Sequence, residues 1–143
     1  MSNTESPERT LLLVKPDGVE RNLIGEVLRR VEAKGYVIVK LAMDVPSEEL
    51  LSQHYAEHKE KPFFTDLVGY MSSGPVVSAV IEGHRVIEGI RALSGATNPT
   101  TAAPGTIRGD LGRDWGTGNI ENIVHSSDSP ESADREISLW FPN

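Results

Sequence analysis

Two kinds of apolar spacing alternate along this chain, and their order restricts it to a sheet layered with helices. Thr10-Leu11-Leu12-Leu13-Val14 is a short continuous apolar run that suits a buried strand. Leu23, Ile24, Val27, Leu28 and Val31 then recur with helical spacing, and Gly35 offers a left-handed stop. Residues 36–45 are rich in β-branched and apolar side chains and predict a second strand, closed by Pro46. Ser47 followed by Glu48 and Glu49 predicts a helix start, because a hydroxyl caps free amides and acids favour the positive end of the dipole. Pro62 opens a short helix containing Phe63, Phe64, Leu67 and Met71, which Gly74-Pro75 breaks. Residues 76–82 predict a third strand, and Val86, Ile87, Ile90 and Leu93 a helix ending near Gly95. Residues 120–125 predict a fourth strand, and Ser129-Pro130-Glu131 starts a last helix running toward Trp140.

That order contains the split β-α-β pattern of a ferredoxin-like α/β (α+β) architecture: one four-stranded sheet with helices on one face. At 143 residues and 38% hydrophobic the chain fits one domain, residues 9–143, behind a polar tail over 1–8. Residues 95–118, rich in Gly, Pro, Thr and Ala, form a longer stretch than most connecting loops, which favours a functional role. The net charge of -7 argues against a broad basic face for nucleic acid or an anionic membrane. No apolar run approaches the ~20 residues that span a bilayer, and Met1 to Arg9 lacks a signal-like core, so a soluble, cytoplasmic protein is expected. Without cysteine, thiolate catalysis and Cys-based zinc sites are excluded, and any metal must use oxygen or histidine ligands.

Chemistry-bearing residues gather at element ends. His125 closes the fourth strand among short polar neighbours, where a neutral imidazole can attack phosphorus or simply cap a strand. Lys15 follows strand one, Arg91 precedes the long loop and Arg108 lies inside it; each is an ordinary surface charge unless the three converge, in which case they suit a polyphosphate. No Gly-x-x-x-x-Gly-Lys-Ser/Thr loop occurs, and Gly116-Thr117-Gly118 lacks the third glycine of a dinucleotide fingerprint. His54 and His58 stand one helical turn apart, which is metal-ligand spacing, but without a zincin glutamate a solvated helix face is the simpler expectation.

Several motifs in one order carry a family resemblance. Val14-Lys15-Pro16-Asp17-Gly18, His54-Tyr55, Lys61-Pro62-Phe63-Phe64, Ser73-Gly74-Pro75-Val76-Val77, Ala96-Thr97-Asn98-Pro99, Pro104 through Asp110, Asn122-Ile123-Val124-His125 and Glu131-Ser132-Ala133 resemble nucleoside diphosphate kinase, over nearly all of Arg9 to Pro142. The resemblance implies an antiparallel ferredoxin-like sheet and ping-pong transfer of a terminal phosphate through a phosphohistidine on His125. It implies that Lys15, Arg91, Thr97 and Arg108 hold phosphates, that Phe63 stacks on the base, and that Lys15 and Asn122 reach the ribose hydroxyls. Tyr55 would lie beside the nucleophile, with Ser127 and Glu136 supporting it. Magnesium (Mg2+) is the implied cofactor, bound mainly through nucleotide phosphates. The implied partners are ribo- and deoxyribonucleoside tri- and diphosphates of broad base range and further copies of the chain, a hexamer favoured over a tetramer.

Two departures qualify the resemblance. Ser126 stands where the family has glycine after the histidine, and residues 112–121 are about four longer than usual, placing Trp115 near the base-binding side. A nucleotide-binding regulator that lost turnover through Ser126, or a ferredoxin-like module binding an acidic partner, are the alternatives that sequence leaves open.

Overall fold

A computed structural model describes residues 6–116 and 120–142. The apolar run of β1 (Glu8–Val14) takes an inner place in a four-stranded sheet of order β2-β3-β1-β6, in which every pairing is antiparallel. β3 (Val76–Gly83) runs along one side of β1 and β6 (Val124–Ser126) along the other, while β2 (Val37–Asp44) forms an edge. This is the ferredoxin-like arrangement expected from the element order and the resemblance.

Helices lie on both faces of β1 rather than on one. Leu12 and Val14 join a cluster with Val27 and Val31 of α2 (Ile24–Ala33) and Val86, Ile87 and Ile90 of α5 (Val86–Ser94). Leu11 and Leu13 point the other way, to Leu51 of α3 (Glu48–His54), Val68 and Met71 of α4 (Phe64–Met71), and Ile137 and Trp140 of α7 (Pro130–Trp140). Successive strand side chains face opposite sides, so an uninterrupted apolar run requires two covers. Each of these fully buried aliphatic side chains contributes about 1.5–3 kcal/mol relative to exposure.

The expected fourth strand is divided. Ile120–Glu121 forms β5 and pairs with β4 (Arg113–Asp114) in a separate hairpin, and Val124–Ser126 alone joins the main sheet. Between them Ile123 has φ 72°, a left-handed conformation that β-branched residues rarely adopt. Two short helices were not legible in the sequence: α1 (Pro16–Glu20), opened by its proline, and α6 (Ile107–Leu111), where the Thr106 hydroxyl accepts from the Gly109 amide. Residues 117–119 of the two-glycine fragment and 1–5 of the expected tail lie outside the described residues, and β1 begins at Glu8. Among the described residues no helix is long and apolar enough to cross a membrane.

Candidate active site

β6 holds His125 opposite Leu13 of β1, with 23% of its side chain exposed. α7 approaches from the sheet's side: the Ser129 hydroxyl accepts from the Ser132 amide, Pro130 sets the first turn, and three residues apart Ala133 and Glu136 turn inward. The Glu136 Oε1 atom lies 3.0 Å from His125 Nε2 and accepts the Ser127 hydroxyl proton at 2.7 Å. Burial pushes the Glu136 carboxyl up, but the hydrogen bond and charge of His125 and the bond from Ser127 outweigh it and hold the pKa below the usual carboxylate value. An ionised carboxylate only accepts, so Nε2 of a neutral His125 carries the proton and Nδ1 keeps its lone pair.

Ser126 is accommodated without strain. It pairs with Leu12 in β6, and the non-glycine residues with positive φ among the described residues are Asn22, Arg85 and Ile123.

His54 is not on a solvated face. Only 3% exposed, it ends α3 with its ring edge-on to His125, centroids 4.7 Å apart at 76°. Trp140 Nε1 donates to His54 Nδ1 at 3.1 Å, and burial, reinforced by the charge of His125, pushes the imidazole pKa down to about 3. A neutral His54 with its proton on Nε2 follows, because an indole N–H can only donate. Tyr55 packs its buried ring on His54 at 4.6 Å, and burial raises its phenol pKa.

The helical pair of metal-spaced histidines does not form, since α3 stops at His54 and His58 lies in a 3₁₀ turn (Ala56–His58) beside Phe63. His54, His125 and Glu136 do bring three ligand-type atoms within 4.8 Å. Their lone pairs are committed within the cluster: His54 Nδ1 receives Trp140, and Glu136 Oε1 receives His125 and Ser127.

The cations converge as sequence spacing could not show. Lys15 Nζ donates to Asn122 Oδ1 at 2.9 Å, and Asn122 Nδ2 donates to the Thr97 carbonyl at 3.0 Å. Arg108 spans three carbonyls, giving Nε to Asn122 at 3.3 Å, Nη1 to Gly95 at 2.9 Å and Nη2 to Val124 at 2.7 Å. Gly95 has φ 89°, and a Cβ there would lie 2.5 Å from Thr106 Oγ1, so only glycine lets the loop close over α6 at this point. Burial lowers the Arg108 pKa to about 10, with the like charge of Arg91 adding to the effect. Burial also lowers Lys15 to about 8, Arg108 adding and Asp17 opposing. Desolvated cations held against each other are stabilised by an anion. Arg91 and Thr97 stand exposed beside them.

Phe63, 48% exposed at the start of α4, lines a cleft of about 720 Å³ with Lys15, Tyr70, Trp115, Ile120 and Glu121. Lys15 belongs to both cleft and cation network, so the two form one continuous site.

Sequence reasoning missed the supports beneath it. Asp17 Oδ2 accepts the Ile123 amide at 3.0 Å, and Oδ1 accepts the Tyr70 hydroxyl at 2.7 Å. This buried carboxylate holds the left-handed turn that delivers Val124 and His125 to the sheet. Its place in Lys15-Pro16-Asp17-Gly18 was a signal; Tyr70, His54 and Trp140 gave none, because their roles exist only through packing.

Comparison with known proteins is consistent across sequence and structure. A family model described as nucleoside diphosphate kinase matches residues 8–143. The chain is 58% identical to a nucleoside diphosphate kinase of Archaeoglobus fulgidus, over 94% of this chain and 86% of that one. It is 54% identical to a cytosolic nucleoside diphosphate kinase of Dictyostelium discoideum, over 98% and 88%. A halophilic nucleoside diphosphate kinase from Halobacterium salinarum, solved in complex with CDP, superposes with a TM-score of 0.89 at 46% identity, covering 96% of this chain and 90% of that one.

Proposed function

Because this chain belongs to the nucleoside diphosphate kinase family, a family of phosphotransferases, we propose that His125 is the residue on which the phosphate travels. The reaction moves the terminal phosphate of a nucleoside triphosphate to a nucleoside diphosphate in two ping-pong half-reactions through one site. The observation that carries the assignment is the bond from His125 Nε2 to Glu136, which leaves Nδ1 as the nucleophilic nitrogen. Nδ1 attacks the terminal phosphorus, the P–O bond to the inner phosphate breaks, and the diphosphate leaves; the second half runs in reverse on another diphosphate. Glu136 and Ser127 keep the ring oriented, and Tyr55, packed on His54, helps to wall the same cluster.

The loose transition state spreads charge over the equatorial oxygens, so prepositioned cations supply most of the stabilisation. Arg108, already locked by three carbonyls, serves the transferred group, while Arg91 and Thr97 hold the inner phosphate. Lys15 and Asn122, joined at 2.9 Å, reach the ribose hydroxyls, with Lys15 also toward phosphate. Phe63 stacks on the base, which favours broad base use because stacking does not read base edges. The Halobacterium neighbour's CDP supports a nucleoside diphosphate in this cleft.

The carboxylates beside the nucleophile are spent, Asp17 on Tyr70 and Ile123 and Glu136 on His125 and Ser127. This fits magnesium entering as part of the nucleotide, bridging phosphate oxygens and neutralising their charge. We place the reaction in the cytoplasm, following the cytosolic Dictyostelium relative, with neither nucleic acid nor membrane as partner for an acidic chain. Assembly into a homo-oligomer, a hexamer in preference to a tetramer, has support for self-association in the edge strand β2, which leaves Val37, Leu41 and Met43 exposed.

Incubation with labelled triphosphate tests the reading: an acid-labile, base-stable phosphoprotein should form and pass its label to added diphosphate. His125→Ala should bind diphosphate yet take no label, and turnover by that variant would relocate the nucleophile. Arg108→Ala should slow phosphorylation far more than it weakens diphosphate binding; equal losses would contradict its role.

A further inference from the structure

We propose that Trp115 is the second wall of the base slot, clamping the nucleobase against Phe63. The inference rests on the reading of the cleft as a nucleotide site. Trp115 follows β4 on the hairpin in which Arg113 pairs with Glu121 and Asp114 with Ile120. The cleft runs between this hairpin and α4: Phe63 and Tyr70 come from the helix side, Trp115, Ile120 and Glu121 from the hairpin, and Lys15 leads to the cation network.

Trp115 is 53% exposed and belongs to neither apolar cluster, yet its ring is held. Its indole N–H donates to the Glu121 carboxylate across the hairpin, and the Arg113 guanidinium lies over the ring 4.4 Å from its centroid. Arg113 covers one aromatic face, which leaves the other for a ligand. A large aromatic that core packing does not need, immobilised by two polar neighbours at the rim of a cleft whose opposite wall is another exposed aromatic, matches a planar ligand between them. The base of a nucleotide whose phosphates reach the Lys15 and Arg108 end is that ligand. Purines, with more ring face than pyrimidines, gain more from the second wall.

Calorimetric titration of ADP, CDP and inorganic tripolyphosphate into the unaltered chain, Trp115→Ala and Trp115→Phe tests the clamp. Trp115→Ala should weaken ADP about 10-fold and CDP by a smaller factor while tripolyphosphate binds unchanged, because one base stack is lost and the phosphate end is untouched. Trp115→Phe should recover most of the ADP affinity, and in turnover Trp115→Ala should raise KM with kcat at saturation kept. ADP binding to Trp115→Ala within twofold of the unaltered chain overturns the clamp, as does an equal loss for tripolyphosphate, which would make Trp115 a support of the hairpin. If the unaltered chain binds tripolyphosphate but not ADP, the clamp fails alone; if it binds neither, the nucleotide reading fails with it.

Discussion

His125 reacts as its neighbours allow, and the least visible of them is His54. Its pKa of about 3 in the fold lies below the ~6.5 of a free imidazole, so between those values the unfolded chain binds a proton that the folded chain refuses. Stability is therefore full above about pH 6.5 and falls as the pH drops toward 3. Glu136, whose carboxyl is held below its ordinary value, adds a further loss at the acid end as pH falls through its folded pKa. Thermal melts across this range should show Tm declining from about pH 6.5 downward, and His54→Asn should flatten the upper part of that decline. An unchanged slope in the variant would remove His54 as its source. At this scale the sequence disclosed residues whose chemical type suits their task, Lys15, Arg108 and His125, within recognisable motifs. It did not disclose His54, because an imidazole's burial depends on which ring lies above it, and here that ring is Trp140, 86 positions away.

Elements were legible where periodicity is long. The helices over Ile24–Ala33 and Pro130–Trp140 follow their apolar spacing and caps, and β3 its unbroken run. The misread segment, 120–125, looks like one strand by composition, but Asp17 captures the Ile123 amide and turns the chain before β6. Asp17→Ala should cost about 1–3 kcal/mol in urea unfolding by leaving a buried N–H without its partner. The same variant should slow phosphorylation, since the turn that presents His125 relaxes. Unfolding and labelling both unaffected would show that the turn persists without the carboxylate.

The whole molecule places its site at the end of the sheet where β1, β6, the long loop and α7 meet, and leaves β2 as an open edge. Leu41, 54% exposed on that edge, is the position at which a charge should oppose self-association. Leu41→Lys should elute later than the unaltered chain in size exclusion at equal concentration, while retaining its fold by circular dichroism. Coelution at the same mass would place the subunit contact elsewhere.

Periodicity, caps and motif order by themselves determined the element sequence, the fold class and which side chains are chemically able to transfer phosphate. These are local properties, set by spacing along the chain. Tertiary structure alone decided that both sheet faces are covered, that Lys15, Asn122, Thr97 and Arg108 form one network, and that His54 and Asp17 stand beneath the site. Those outcomes depend on desolvation and on hydrogen bonds between residues tens of positions apart, and no local pattern records them.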